Sequence, residues 1–122
     1  MACLLRAAAR LYHGCGPRKE ADQVSFIKPC LQEGFFDVFH IYNIRHERRD
    51  ELKTYLAEHG IQTEIHYPVP PHRQKALQGM FDINAYPLAD KIHATTLSLP
   101  ISICSSEEDI EQVIAVINCF SL

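Results

Sequence analysis

The sequence lacks an excess of positive charge. Twelve Lys and Arg stand against fifteen Asp and Glu, a formal net charge of −3. A balance of that sign leaves no electrostatic footprint for nucleic acid or for an anionic membrane surface. Long apolar runs are also missing. None approaches the ~20 residues that a membrane-spanning helix needs, so no membrane partner is expected. The five cysteines, Cys3, Cys15, Cys30, Cys104 and Cys119, are odd in number and form no Cys-x-x-Cys pair. That pattern fits reduced thiols in a cytoplasmic protein better than a disulfide framework. There is no Gly-x-Ser-x-Gly elbow, no P-loop and no Gly-x-Gly-x-x-Gly. Those absences remove the usual signatures of an activated serine and of a phosphate-cradling loop.

What is present is ordinary for a soluble globular chain: 122 residues, 47% hydrophobic and 22% charged. This is one domain or a piece of a larger protein, long enough to bury a real core. The first nineteen residues carry Arg6, Arg10, Arg18 and Lys19 with no acid before Glu20. Their composition resembles a mitochondrial presequence. The plainer reading is a helix from Ala2 to His13 with Leu4, Leu5, Ala8 and Leu11 on one face, ended by Gly14, Gly16 and Pro17. A short strand is expected at Val24 to Ile27.

From Phe35 the pattern becomes denser. Phe35 to Ile44 is rich in aromatic and β-branched residues and reads as a central, mostly buried strand. Arg45 to His59 reads as a helix with Leu52, Tyr55 and Leu56 inward, and Gly60 suits the position just past its end. Ile61 to Ile65 alternates apolar and polar as a half-buried strand. Pro68, Pro70 and Pro71 then stop any inner strand, because proline has no N–H and a fixed φ. The result is a stiff exit from the sheet carrying His66, Tyr67 and His72, and rigid loops at strand ends are where sites tend to be built. His72 to Gly79 reads as a short helix or turn, Met80 to Asn84 as a loop, and Ala85 to Ala94 as a helix with Pro87 in its first turn. Thr95 to Leu99 is a third strand closed by Pro100. Ser105 and Glu108 have capping-box spacing for a last helix whose stripe is Ile110, Val113, Ile114 and Ile117. The fold class is α+β, a small α/β sandwich of about three principal strands with helices mainly on one face.

Seven histidines invite a metal reading, but His66 and His72 are not at zinc-site spacing and no third ligand lies near, so no metal is expected. His40, inside an apolar strand, is read as a core or interface histidine. His46, His59 and His93 fall on expected helices and are read as solvated. Cys104 is expected to be small and buried, Ser98 and Ser102 carry no mark of activation, and the charge run from Arg45 to Glu51 is read as a solvated helix face. The residues alone supply no complete catalytic set.

Three segments together resemble the C-terminal small domain of the DegT/DnrJ/StrS family of pyridoxal phosphate (PLP)-dependent sugar aminotransferases. They are Val38-Phe39-His40-Ile41-Tyr42-Asn43-Ile44-Arg45 with Arg48, Arg49 and Asp50; Gly60-Ile61 through Ile65-His66-Tyr67-Pro68-Val69-Pro70-Pro71-His72; and Tyr86-Pro87-Leu88-Ala89-Asp90 with Leu97-Ser98-Leu99-Pro100 and the acidic start of the last helix. The resemblance runs from Phe35 to the C-terminus. It implies residues 35–122 as the small domain and 1–34 as a helix and connection, with Arg6 to Tyr12 a remnant of an interdomain helix. It also implies an enzyme, usually a homodimer, that moves an amino group, glutamate being the expected donor, onto a nucleotide-linked keto-sugar. In such enzymes the PLP lysine and its acidic partner lie in a large domain. Lys19, Lys28, Lys53, Lys75 and Lys91 do not match the family's Schiff-base motif. No catalytic residue and no bound cofactor are therefore expected in this chain, and His66, Tyr67 and His72 are its substrate-binding candidates. The same loop also suits a packing role between domains. The rival class is a stand-alone, non-catalytic α+β binding module.

Overall fold

The computed structural model describes residues 33–34, 38, 40–102 and 104–120. The helix expected at Ala2 to His13 and the strand expected at Val24 to Ile27 lie outside them. The first strand, β1, is Tyr42–Arg45, and the second, β2, is Thr96–Leu99. They pair antiparallel, Tyr42 opposite Leu99 and Arg45 opposite Thr96. On the other side of β2, Glu64 forms a bridge to Ser98, its N–H donating to the Ser98 carbonyl at 3.2 Å and its carbonyl accepting from the Ser98 N–H at 2.7 Å.

This arrangement corrects two expectations. The central strand is Thr96–Leu99, buried at all four positions, and not Phe35 to Ile44. Within the latter, Val38 is 61% exposed and His40 is exposed. β1 buries only Tyr42 and Ile44, while Asn43 and Arg45 are half-exposed, the alternation of a one-sided strand. The strand expected over Ile61 to Ile65 is a single bridge among the described residues. Its first residue is held by the helix before it, because the Ile61 N–H donates to the Leu56 carbonyl at 2.9 Å.

That helix, α1, is Arg49–Glu58 and begins later than expected. Arg45 completes β1, and the Arg48 N–H donates to His46 Nδ1 at 3.0 Å in the turn between strand and helix. Gly60 follows at φ +77°, the left-handed geometry that lets the helix end with its last carbonyls satisfied. The second helix, α2, is Pro87–Thr95, with proline at its first position, where the missing N–H costs nothing. The third, α3, is Glu107–Asn118. Its capping box is one residue later than expected: Ser106 Oγ accepts from the Asp109 N–H at 3.1 Å and Asp109 Oδ2 accepts from the Ser106 N–H at 2.9 Å. Ser105 bonds instead to Ser102.

One core joins these elements. Tyr42, Ile44, Leu97 and Leu99 from the sheet meet Leu52 and Leu56 of α1, Ile110, Val113 and Ile117 of α3, and Ile61 and Phe120. No described helix is long and apolar enough to cross a membrane.

Candidate functional site

The proline-rich exit from the sheet starts on a firm base. Ile65 packs against the core, and the backbone before it is tied to β2 through Glu64. His66 Nδ1 lies 2.9 Å from Ser98 Oγ. Tyr67 is 66% exposed, and its carbonyl accepts from His93 Nδ1 at 2.5 Å. After the buried Pro70, Pro71–Arg73 makes one 3₁₀ turn and Lys75–Leu77 another, in agreement with the short helix or turn expected there.

His72 is only 5% exposed. Its Nε2 lies 3.0 Å from Asp90 Oδ1 of α2, and its ring centroid is 5.1 Å from that of Tyr86. Arg73 clasps the same carboxylate with two bonds, Nε to Oδ1 at 2.6 Å and Nη2 to Oδ2 at 2.7 Å. The fork-shaped pairing holds the Asp90 carboxyl down at about 2, through the Arg73 hydrogen bonds first and His72 second.

The three expected site residues therefore part company. His66 faces an open cleft of about 200 Å³ that is also lined by His40, Gln62, Glu64 and Ser98. Tyr67 stands on the surface, and His72 is buried against α2. Ser98 and Asp90, which hold the two histidines, were invisible as partners in the sequence. Asp90 lies 18 residues from His72, and Ser98 lies 32 from His66.

Several other expectations need correction. His46 is buried, beside Phe120 at a 5.4 Å ring separation, and burial first, then the Arg48 charge, lowers its pKa. It sits before α1 and not on it, so the core claims it. Arg49 is not part of a solvated face. Its side chain is 12% exposed, and its guanidinium donates to the His93 and Thr96 carbonyls, both at 3.2 Å, closing the junction of α2 and β2. Cys104 is exposed, since it lies in a turn outside the core. His40 is exposed and lines the cleft.

With this geometry in hand, the comparisons are specific. The family model of the DegT/DnrJ/EryC1/StrS aminotransferase family matches residues 19–118. This chain belongs to that family. It is 39% identical over 90 residues to a dTDP-3-amino-3,6-dideoxy-alpha-D-galactopyranose transaminase of Aneurinibacillus thermoaerophilus, a match covering 74% of this chain and 24% of the relative. It is 43% identical over 65 residues to a dTDP-3-amino-3,4,6-trideoxy-alpha-D-glucose transaminase of Streptomyces venezuelae, covering 52% and 17%. Among solved structures it superposes on S. venezuelae DesV with a TM-score of 0.86 at 30% identity, over 95% of this chain and 30% of that one. The chain thus spans about a quarter of the length of the curated relatives it matches.

Members of the family are PLP-dependent aminotransferases, and a Streptococcus pneumoniae sugar aminotransferase, Spr1654, is solved in a PLP form. The described residues do not by themselves fit that cofactor. The cleft has no lysine in its lining. Lys53, Lys75 and Lys91 lie on α1, the second 3₁₀ turn and α2, none of them buried. Lys19 and Lys28 lie outside the described residues. No group of three His, Cys, Asp or Glu among the described residues is placed to hold a metal ion.

Proposed function

We propose that this chain serves as the C-terminal small domain of a PLP-dependent aminotransferase acting on nucleotide-linked keto-sugars, in the biosynthesis of sugars or cell-surface polysaccharides. The observation that carries the reading is the superposition on DesV over nearly the whole chain, together with a family match across residues 19–118. The chain's own contribution is to hold the proline-rich segment against the substrate, with His66 and Tyr67 as its contacts and His72 fixing the segment to α2 through Asp90. The lysine, its acidic partner and the phosphate cradle come from the large domain, so the chain alone neither holds PLP covalently nor transaminates. In the working enzyme the proposal includes glutamate as amino donor, a homo-oligomer and a cytoplasmic location. No observation favours the stand-alone binding module.

The segment's construction supports the role. Pro68, Pro70 and Pro71 restrict the backbone, and the Asp90 clamp fixes the far end. Side chains held this way meet a substrate without first being ordered, which is how positioning lowers a barrier.

The test is a chimaera in which this chain replaces the C-terminal part of the A. thermoaerophilus transaminase that it matches. Amino transfer to the dTDP-linked keto-sugar is expected from the chimaera. From the chain alone, neither transfer nor a borohydride-trapped PLP adduct is expected. A folded, PLP-loaded chimaera without transfer would overturn the reading, as would a stoichiometric PLP adduct on one lysine of the isolated chain.

A further inference from the structure

We propose that His93 of α2 is a positioning residue for amino transfer: by holding the Tyr67 carbonyl it fixes the direction in which Tyr67 and the prolines leave the sheet. A role in amino transfer presupposes the function proposed above, whereas the hold on the segment stands on geometry.

The start of the segment has one soft joint. The ring of Pro68 locks its φ, and the residue before a proline is confined to extended backbone. What remains is the tilt of the peptide plane between Tyr67 and Pro68. Pro68 brings no N–H to that plane, so the Tyr67 carbonyl is its single hydrogen-bonding group. His93 Nδ1 lies 2.5 Å from that oxygen. A carbonyl only accepts, so Nδ1 carries the proton and donates. The bond sets the tilt, and with it the angle between Tyr67 and the stiff run of prolines that follows. Tyr67 is 66% exposed and has no burial of its own to hold it.

The last turn of α2 is a firm reference for that bond. Arg49 of α1 donates from Nη1 to the His93 and Thr96 carbonyls, both at 3.2 Å. Its charge stands at the C-terminal end of α2, where the helix dipole favours a cation. The His46 N–H donates to the Thr95 carbonyl at 2.9 Å, and Arg45 Nε donates to Thr95 Oγ1 at 3.0 Å. The end of α2 is thereby joined to β1 and to the turn before α1. Asp90, three residues before His93 and so on the same side of the helix, takes His72 and Arg73. One side of α2 thus holds both ends of the segment, His93 the Tyr67 end and Asp90 the His72 end. Since α2 buries no residue, bonds and not packing set its distance from the segment. His93 acts through Tyr67 and does not itself touch the substrate.

The experiment compares His93→Ala and His93→Asn in the chimaera, with Lys91→Ala on the same helix as control. Keto-sugar KM, kcat, the PLP absorption band and the melting temperature are read together. His93→Ala is expected to raise the keto-sugar KM about two- to tenfold, the range of one neutral hydrogen bond. The PLP band and the melting temperature should keep their wild-type values. His93→Asn places an amide N–H where Nδ1 stands and is expected to restore KM, and Lys91→Ala to match wild type. A wild-type KM in His93→Ala overturns the proposal. So does a raised KM that His93→Asn leaves uncorrected or that Lys91→Ala reproduces. If His93→Ala does not fold, His93→Phe, which keeps a ring and removes the donor, takes its place. The same variants are read by NMR in the whole chain, isotope-labelled. His93 is expected to carry its ring proton on Nδ1. His93→Ala is expected to shift the Tyr67 and Val69 amides and leave those of Ile110 and Val113 in α3 unmoved. A proton on Nε2 alone, or unmoved Tyr67 and Val69 amides, overturns the hold. An inactive chimaera with the expected NMR shifts would sink the aminotransferase reading and spare the hold. An active chimaera with a wild-type KM in His93→Ala would sink His93 and spare the aminotransferase reading.

Discussion

Helices α3, of 12 residues, and α2, of 9, are held in opposite ways. α3 buries Ile110, Val113 and Ile117 in the core. α2 buries no residue at all, and Leu88 and Ile92, one turn apart on it, are both exposed. The contrast extends to the chain before α2, where Tyr67, Val69, Met80, Phe81, Ile83 and Tyr86 are exposed apolar residues within twenty positions. Polar contacts replace packing there: Asp90 with Arg73 and His72, His93 with the Tyr67 carbonyl, and Arg49 with the His93 carbonyl. One region is held by burial. The other is held by hydrogen bonds and turns its apolar side chains outward, and the proposed role as one domain of a larger enzyme predicts that they are covered there.

The largest effect expected from this contrast is in the core. Leu56 is fully buried, and Leu56→Ala should cost about 2–5 kcal/mol. Leu88→Ala, on the exposed face of α2, should stay within about 0.5 kcal/mol. Urea unfolding of the two variants checks the pair, and similar losses in both would erase the distinction. A smaller loss is expected at the start of α3. Ser106→Ala removes the cap that accepts from the Asp109 N–H and should cost about 1 kcal/mol. The same mutation at Ser105, which the sequence alone marks as the cap, should cost less.

Acid should separate the regions in order. His46 touches Phe120 of the core, and its pKa is lowered below 6.5 by burial and by Arg48. The folded state prefers it neutral, with Nδ1 accepting from Arg48. Its stabilisation is present above 6.5 and is lost as pH falls below that value, levelling off beneath its folded pKa. Asp90 loses its contribution in the same direction, at lower pH. Its pKa falls from 3.8 to about 2 in the folded state, so its contribution is intact above 3.8 and disappears as pH drops toward 2. Thermal melts should show a first loss between pH 7 and pH 5 that His46→Gln flattens. A second, smaller loss near pH 3 should be absent in Asp90→Asn and weakened by salt, because the pair is partly exposed. Melting unchanged down to pH 4 in the wild type would refute the His46 part.

Much of the core region was legible in the sequence because local pattern decides it. The α3 stripe, Pro87 at the head of α2, Gly60 past the end of α1 and the apolar run of β2 all follow from periodicity and backbone chemistry. The cap was misplaced by one residue because Ser105 and Ser106 are each followed three positions later by an acid, Glu108 and Asp109. Only tertiary geometry chooses between them. Strand centrality was misread for a similar reason. Phe35 to Ile44 is the more aromatic stretch, yet β2 receives partners on both sides. The site was the least legible part. His66 and His72 look equivalent as neighbours of prolines, and what separates them is Ser98 on one strand and Asp90 on another helix.

Amide hydrogen exchange across the described residues, in the isolated chain and in the chimaera with the A. thermoaerophilus large domain, tests the account most directly. In the isolated chain the amides from Tyr67 to Ile92 should exchange much faster than those of α1, β2 and α3, since few buried contacts oppose their local opening. In the chimaera the same amides should slow markedly while the core amides change little. Equal protection of the Tyr67 to Ile92 span in the two proteins would contradict the claim that this surface is built to be covered by the rest of an aminotransferase.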